Sequence, residues 1–144
     1  MGIGLTEEHQ ALAASVRGLA GRTVEHRALA AQGLLGLHLP EEHGGQGFGL
    51  VELCVALEAL GEQRAPGPYL PTALTSATLT RPAPDGKDPL GGLADGKDLL
   101  GGLADGTLTA AVVLGDGGLA LGAAVADLFL VPVGDGGWAL LDRD

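Results

Sequence analysis

The stretch GLLGLHLPEEHGGQGFG, residues 33–49, sets the organisation of the chain because it interrupts two segments of helical periodicity. Its proline, Pro40, cannot donate a backbone hydrogen bond, and its glycines allow turn conformations that other residues avoid. We therefore predict a loop over residues 36–49, between a helix over residues 25–35 and a helix over residues 50–63. Leucines recur on one face of the second helix, at Leu53, Leu57 and Leu60.

The glycines of this stretch also imitate a dinucleotide-binding fingerprint, since they read Gly45-x-Gly47-x-Gly49. That fingerprint requires G-x-G-x-x-G directly after a strand and within a βαβ unit. Here the spacing differs, no such unit follows, and Glu41 and Glu42 would repel a pyrophosphate. The pattern therefore argues against a nucleotide site.

Two further helices are predicted on either side. The first runs from Thr6 to about Ala20, because Thr6 is a favoured N-cap and the acidic residues after it suit the positive end of the helix dipole. The other covers residues 70–79, after a proline-rich break at residues 66–68. The N-terminal part, residues 1–80, is therefore predicted to be a helical domain of about four helices.

A ten-residue repeat follows. Residues 85–94 and 95–104 are identical at nine of ten positions, and a third copy begins at Asp105 without being completed. Two copies are too few for a solenoid, which needs about three repeats to bury its faces. We interpret residues 81–106 as a surface connector rich in glycine and aspartate.

The remaining part, residues 107–144, is predicted to be a partial β-domain. Apolar runs over residues 108–114, 127–133 and 138–141 favour strands, and glycine and aspartate separate them. The fold class is therefore α+β, a helical domain followed by a short, incomplete antiparallel β segment.

Composition excludes several classes of function. The net charge of −10 argues against nucleic acid and against anionic membrane surfaces. No stretch reaches the roughly 18 apolar residues of a membrane span, and we see no secretory signal. The single cysteine, Cys54, fits a reducing compartment, so we expect a cytoplasmic protein.

Other candidate sites have simpler interpretations. His38, Glu41, Glu42 and His43 resemble a metal cluster, but a bent polar loop without a third ligand group favours a solvated surface, and we predict no metal site. Cys54 lies among apolar helix residues, which favours a buried structural thiol over a nucleophile.

The order of residues in several stretches of the sequence points to a family. Residues 33–53 resemble the most recognisable N-terminal stretch of acyl-CoA dehydrogenases, a G-L-x-G-x-x-x-P-E-x-x-G-G loop and the helix after it. Residues 5–17 resemble the family's opening helix. Shorter similarities continue along the chain, at residues 57–61, 66–72, 102–111, 126–133 and 138–144.

The resemblance implies a three-part flavoprotein that oxidises acyl-CoA to 2,3-enoyl-CoA, in fatty-acid or sterol-type lipid catabolism. In the family a glutamate removes the α-proton while a hydride passes to FAD. It also implies acyl-CoA as ligand and a homo-oligomer, or a hetero-oligomer with a fuller dehydrogenase subunit. We expect an acyl pocket, if present, near Leu39, Pro40, Tyr69 and Leu70.

The sequence departs from the family in three places. We find no counterpart of the C-terminal domain within these residues, so we assign the catalytic glutamate to no residue. Residues 112–118 replace the signature that cups flavin and substrate, which leaves the cofactor-binding residues unknown, and residues 21–26 look shortened. We expect a truncated or degenerate dehydrogenase; the alternative is a non-catalytic helical interaction or assembly module derived from that fold.

Overall fold

The computed structural model describes residues 4–23, 25–81, 98–115, 118–134 and 136–143. Within these ranges the α-helices are α1 Glu7–Ala20, α2 His26–Ala31, α3 Leu50–Glu62, α4 Tyr69–Leu79 and α5 Leu99–Asp105. The strands are β1 Ala110–Leu114, β2 Leu119–Leu121, β3 Leu128–Val133 and β4 Gly137–Asp142. The α+β class is confirmed.

Helix α1 begins as predicted. The Thr6 hydroxyl accepts a hydrogen bond from the His9 backbone N–H at 3.2 Å, and His9 Nδ1 accepts one from the Thr6 N–H at 3.2 Å. This reciprocal capping satisfies two donors that the first turn of a helix leaves free. The opposite ring nitrogen of His9 lies 3.1 Å from Glu52 Oε1, which ties the start of α1 to the start of α3.

Helix α2 is shorter than predicted, because it ends at Ala31 rather than near Leu35. Gly33 adopts a left-handed conformation with φ of 79°. Its N–H donates to the Ala30 carbonyl at 2.8 Å, and the next N–H, of Leu34, reaches the Leu29 carbonyl at 3.4 Å. This pair of bonds is a Schellman C-cap, for which glycine is the favoured residue.

The first core cluster joins α1, α2 and α3 with the start of α4. Val16, Leu29 and Ala56 are almost completely buried in it, and Tyr69 closes it from α4. The Arg17 guanidinium also hydrogen-bonds the Glu62 carboxylate across the exposed side of the α1–α3 pair. The bond from Arg17 holds the pKa of Glu62 below its usual value.

The sheet has the order β2-β1-β3-β4 and is mixed. The β1–β2 and β3–β4 pairs are antiparallel, as predicted, but β1 and β3 pair in parallel, with Ala110 opposite Leu128. The prediction of a purely antiparallel segment is thus too narrow. It missed β2, whose three residues are too short to show a period-2 pattern.

A second core cluster forms between the sheet and α5. Val112, Leu130 and Leu140 are register partners on one sheet face, and they pack with the fully buried Leu39 and Leu103. The predicted surface connector is therefore wrong for residues 99–105, which form a helix with a buried apolar side. Residues 82–97 of the connector, with the first repeat, lie outside the described ranges.

The prediction of a buried Cys54 is also wrong, because the thiol is exposed. Helix α3 turns Leu53, Ala56 and Leu60 inward, and Cys54 lies away from that face. No helix in the described part of the chain has the length and apolar character needed to cross a membrane.

Candidate functional site

The motif loop, residues 33–49, folds back on itself. Phe48 N–H donates to the Leu37 carbonyl at 2.8 Å, and Gly47 N–H donates to the Leu39 carbonyl at 2.9 Å. A short 3-10 helix, Glu41–His43, forms the tip. The doubled chain pairs the backbone groups that a loop would otherwise leave unsatisfied.

The return of the loop requires glycine at position 45. A Cβ on Gly45 would lie 2.0 Å from the Leu39 carbonyl oxygen, which is far inside van der Waals contact. At the base of the loop, a Cβ on Gly36 would lie 3.1 Å from the Cβ of Ala104, so α5 also approaches the loop closely. Gly45 and Gly36 therefore serve close packing in this structure.

A groove of about 780 Å³ lies between α2, the motif loop and α5. Small residues form much of its wall, and Gln46, His43, Asp98 and Asp105 supply polar groups. His43 Nδ1 lies 3.2 Å from Asp98 Oδ1, and Asp98 also caps α5 by accepting from the Gly101 N–H at 2.8 Å. The described lining includes two aspartates and no Arg or Lys.

A polar seam runs along the buried side of α4. It consists of Thr72, Thr75 and Ser76, each at most 1% exposed. The Thr72 hydroxyl accepts a hydrogen bond from the Ala110 N–H at 3.2 Å, which joins α4 to the start of β1. Thr75 Oγ1 is buried without a partner among the described residues.

His38 lies beside this seam, with Nε2 at 3.0 Å from the Ser76 hydroxyl. The contact has the spacing of a serine–histidine pair, but its hydrogen-bond direction is opposite to that of a nucleophile and its base. Ser76 already donates its proton to the Ala73 carbonyl at 3.1 Å, so it accepts from His38 Nε2–H. The serine is fully buried, and the pair is structural.

Burial favours the neutral form of the His38 and His26 side chains. It lowers the pKa of both imidazoles, since the charged form loses its hydration. His38 Nδ1 and both ring nitrogens of His26 are buried without a partner in the described ranges. His26 also stacks on Tyr69, with ring centroids 5.4 Å apart.

The four residues predicted to line an acyl pocket do not come together in one cavity. Leu39 is fully buried in the second core cluster, whereas Tyr69 is buried in the first. Pro40 is exposed at the tip of the motif loop, and Leu70 is 48% exposed on α4. None of the four lines the groove.

Sequence analysis missed the contacts of His38 with Ser76 and of Thr72 with Ala110. Each pair lies 38 residues apart, and no spacing pattern connects them. As for metal sites, no three His, Cys, Asp or Glu side chains within the described ranges are placed to hold an ion.

Comparisons with known proteins converge on one family. The model of the acyl-CoA dehydrogenase N-terminal domain matches residues 20–82. A curated relative, acyl-CoA dehydrogenase FadE34 of Mycobacterium tuberculosis, is 30% identical over 118 residues, which cover 79% of this chain and 16% of the relative.

Two solved structures are similar over nearly the whole chain. The ChsE4–ChsE5 complex from Mycobacterium tuberculosis is 27% identical with a TM-score of 0.71, and the match covers 99% of this chain and 49% of that one. A variant of the Tcur3481–Tcur3483 steroid acyl-CoA dehydrogenase is 33% identical with a TM-score of 0.60, covering 93% and 39%. The chain therefore spans less than half of these relatives.

Proposed function

Because the chain belongs to the acyl-CoA dehydrogenase family, we propose that it acts as a partial dehydrogenase subunit in the oxidation of acyl-CoA to 2,3-enoyl-CoA. The observation that carries this proposal is the motif loop, which lies inside the matched residues 20–82 and supports both core clusters. We place this activity in the cytoplasm, in lipid catabolism.

A steroid-type acyl-CoA is the substrate class that we propose. One similar structure is described as a steroid acyl-CoA dehydrogenase, at 33% identity to this chain. Of the four predicted pocket residues, Pro40 and Leu70 are exposed enough to contact an acyl group. Leu39 and Tyr69 would support these contacts from the two cores.

FAD is the cofactor of the family, but the described lining of the groove does not fit it. A pyrophosphate needs cationic or N–H donors, whereas the described lining of the groove includes the carboxylates of Asp98 and Asp105 and no Arg or Lys. We therefore assign flavin and the catalytic carboxylate to a fuller dehydrogenase subunit, and we route no chemical step through this chain.

The role of this chain is then to form part of the wall of the substrate site and to position the substrate. The Thr72–Ala110 and His38–Ser76 hydrogen bonds fix α4 against the start of β1 and against the motif loop. Rigid walls exclude water and align a bound substrate, which raises the rate of a step performed by another subunit.

The test is reconstitution with the fuller subunit. The purified chain should be colourless alone, and its complex should show the visible absorbance of flavin and oxidise a steroid acyl-CoA with an artificial electron acceptor. The fuller subunit alone is the control and should be less active. Stoichiometric flavin on the isolated chain, or equal activity with and without the chain, would contradict the proposal.

A non-catalytic assembly module is the second candidate. Apolar side chains that are at least 40% exposed favour it, since soluble monomers rarely leave several together: Leu50 and Val51 on α3, and Leu70 and Leu74 on α4. This candidate predicts a stable complex in which the partner's turnover does not depend on this chain.

A further inference from the structure

His26 is the first residue of α2, and its side chain is packed without a hydrogen bond among the described residues. The imidazole stacks on the ring of Tyr69, with the two ring planes inclined by 30°. Both ring nitrogens are buried without a partner in the described ranges. Burying an unpaired polar group is unfavourable, and it becomes far more so when that group carries a charge. The packing of His26 therefore requires the neutral form of the ring.

The elements around this imidazole do not compensate for a proton on it. Tyr69 is the only ionisable side chain of α4, and the only one on α5 is Asp105, which accepts two hydrogen bonds from Thr107. Glu25 and Arg27, beside the histidine in sequence, make no hydrogen bond to its ring nitrogens. Burial lowers the pKa of the imidazole, and no neighbouring charge contributes to the shift.

The position of His26 in its helix adds to the cost of a proton. The free N–H groups of the first turn oppose a positive charge at the N-terminus of a helix. Helix α2 has only six residues, and its N-cap, Glu25, makes no side-chain hydrogen bond to the first turn. So short a helix is held by packing rather than by its own backbone bonds. A proton on His26 therefore weakens α2 as a whole.

Helix α2 and the turn after it form one wall of the groove, through Ala30, Ala31 and Gly33. The end of α5 packs closely against the same helix. A Cβ added to Gly106 would lie 2.9 Å from the Ala30 Cβ and 3.4 Å from Cδ2 of His26. Displacement of His26 would therefore loosen the contact between the two helices that border the groove.

We propose that His26 is a pH-sensitive switch that opens α2 and the groove beside it. The neutral imidazole rests on Tyr69, and α2 is closed. When a ring nitrogen takes up a proton from solvent, the ring turns outward into water, the first turn of α2 unwinds, and the groove widens between α2 and α5. The switch requires neither the acyl-CoA nor the partner subunit of the proposed function, so the isolated chain tests it separately.

Hydrogen exchange of the full chain at pH 7.5 and pH 5 measures the opening of α2. The reporting amides are those of Leu29, Gly33 and Leu34, which donate to the carbonyls of Glu25, Ala30 and Leu29. After correction for intrinsic exchange, we expect their opening constant to rise at pH 5 by up to about 30-fold, the limit for a group that titrates near pH 6.5 only when open. They should also exchange faster than the amides of β3, because the opening is local.

His26→Phe keeps an aromatic ring against Tyr69 and removes the titration. Its α2 amides should differ by less than about twofold between the two pH values. His38→Gln is the matched control, because it removes the other buried histidine and should leave the response of α2 unchanged. If His26→Phe does not fold, an NMR titration of the wild type replaces it. The His26 ring should then titrate below the ordinary histidine pKa, and the signals of Tyr69, the single tyrosine of the chain, should shift with it.

Four results would overturn the inference: a response of α2 below about twofold in the wild type, the same response in His26→Phe, loss of the response in His38→Gln, or exchange of α2 no faster than that of β3. An ordinary or raised pKa of His26 in the NMR titration would do the same, since a partner would then hold the charge in the closed structure. Reconstitution with a fuller dehydrogenase subunit decides the proposed function and leaves these outcomes unaffected.

Discussion

At the scale of single residues, Gly45 is the position that the motif loop tolerates least. An alanine there would place Cβ 2.0 Å from the Leu39 carbonyl oxygen, and backbone on both sides would have to move. We expect Gly45→Ala to lower the free energy of unfolding by about 2–3 kcal/mol, measured by urea denaturation.

The matched control is Gly61→Ala. Gly61 lies in α3, and nothing is within 4 Å of a Cβ added there. Alanine has the better helix propensity, so this variant should be unchanged or more stable by up to about 1 kcal/mol. Equal losses for both variants would show that the close approach at Gly45 is not what the loop depends on.

From the burial of His38 we predict that the free energy of unfolding depends on pH. Burial lowers its pKa in the folded state, so the unfolded chain takes up protons first as the pH falls. The free energy of unfolding should therefore decline as the pH drops below about 6.5, the usual histidine pKa, and His26 should act in the same direction. The pKa values of Glu52 and Glu62 are also lowered. These two carboxylates therefore reduce stability only when the pH falls to the usual carboxyl range and below.

His38→Gln separates this contribution, because its amide can still donate to Ser76 but does not titrate. Urea unfolding followed from pH 7.5 to about pH 5 should give a shallower loss of stability for the variant than for the wild type. An unchanged slope would mean that His38 is not the group responsible.

At the scale of elements, α4 offers two buried threonines in contrasting situations. Thr72 accepts from the Ala110 N–H, whereas Thr75 Oγ1 has no partner in the described part of the chain. Thr72→Val should cost about 1–3 kcal/mol, because it leaves the Ala110 N–H unpaired inside the protein. Thr75→Val should be neutral or stabilising, and thermal unfolding of the two variants checks the contrast.

Helix α5 should contribute to the core although it lies within a repeat of glycine and aspartate. Leu103 is fully buried in the second core cluster. Leu103→Ala should cost about 2–5 kcal/mol in urea denaturation. Leu119→Ala, at a position 64% exposed on the edge strand β2, is the control and should change stability by less than about 0.5 kcal/mol.

At the scale of the whole molecule, net charge keeps an apolar surface soluble. The sequence pI is about 4.6, so the net charge of −10 disappears as the pH approaches that value. We expect light scattering to rise near the pI, because molecules without net charge no longer repel one another. Scattering that stays constant across the pI would show that the net charge is not what opposes association.

The division into a helical domain, a connector and a partial β-domain stays a prediction. Within the described residues, however, the contacts cross its boundaries. Leu39 from the helical part and Leu103 from the connector range pack into the same cluster as the sheet, and Thr72 bonds the first strand. The described parts therefore share their second core.

The sequence by itself determined the local features. The Thr6 cap, the starts of α3 and α4, the strand runs and the loop at residues 36–49 depend on residues close in the chain. The residues of that loop, with those just before it, also indicated the family. These signals are short-range, because capping, helical periodicity and turn chemistry act over a few residues.

Only the tertiary structure decided the rest. The parallel pairing of β1 with β3, the helix within the repeat, the exposure of Cys54 and the separation of Leu39 from Tyr69 into two cores all depend on residues far apart in the chain. A strand or helix pattern shows which side chains are apolar, but not which partner buries them. That choice is made by packing over the whole chain.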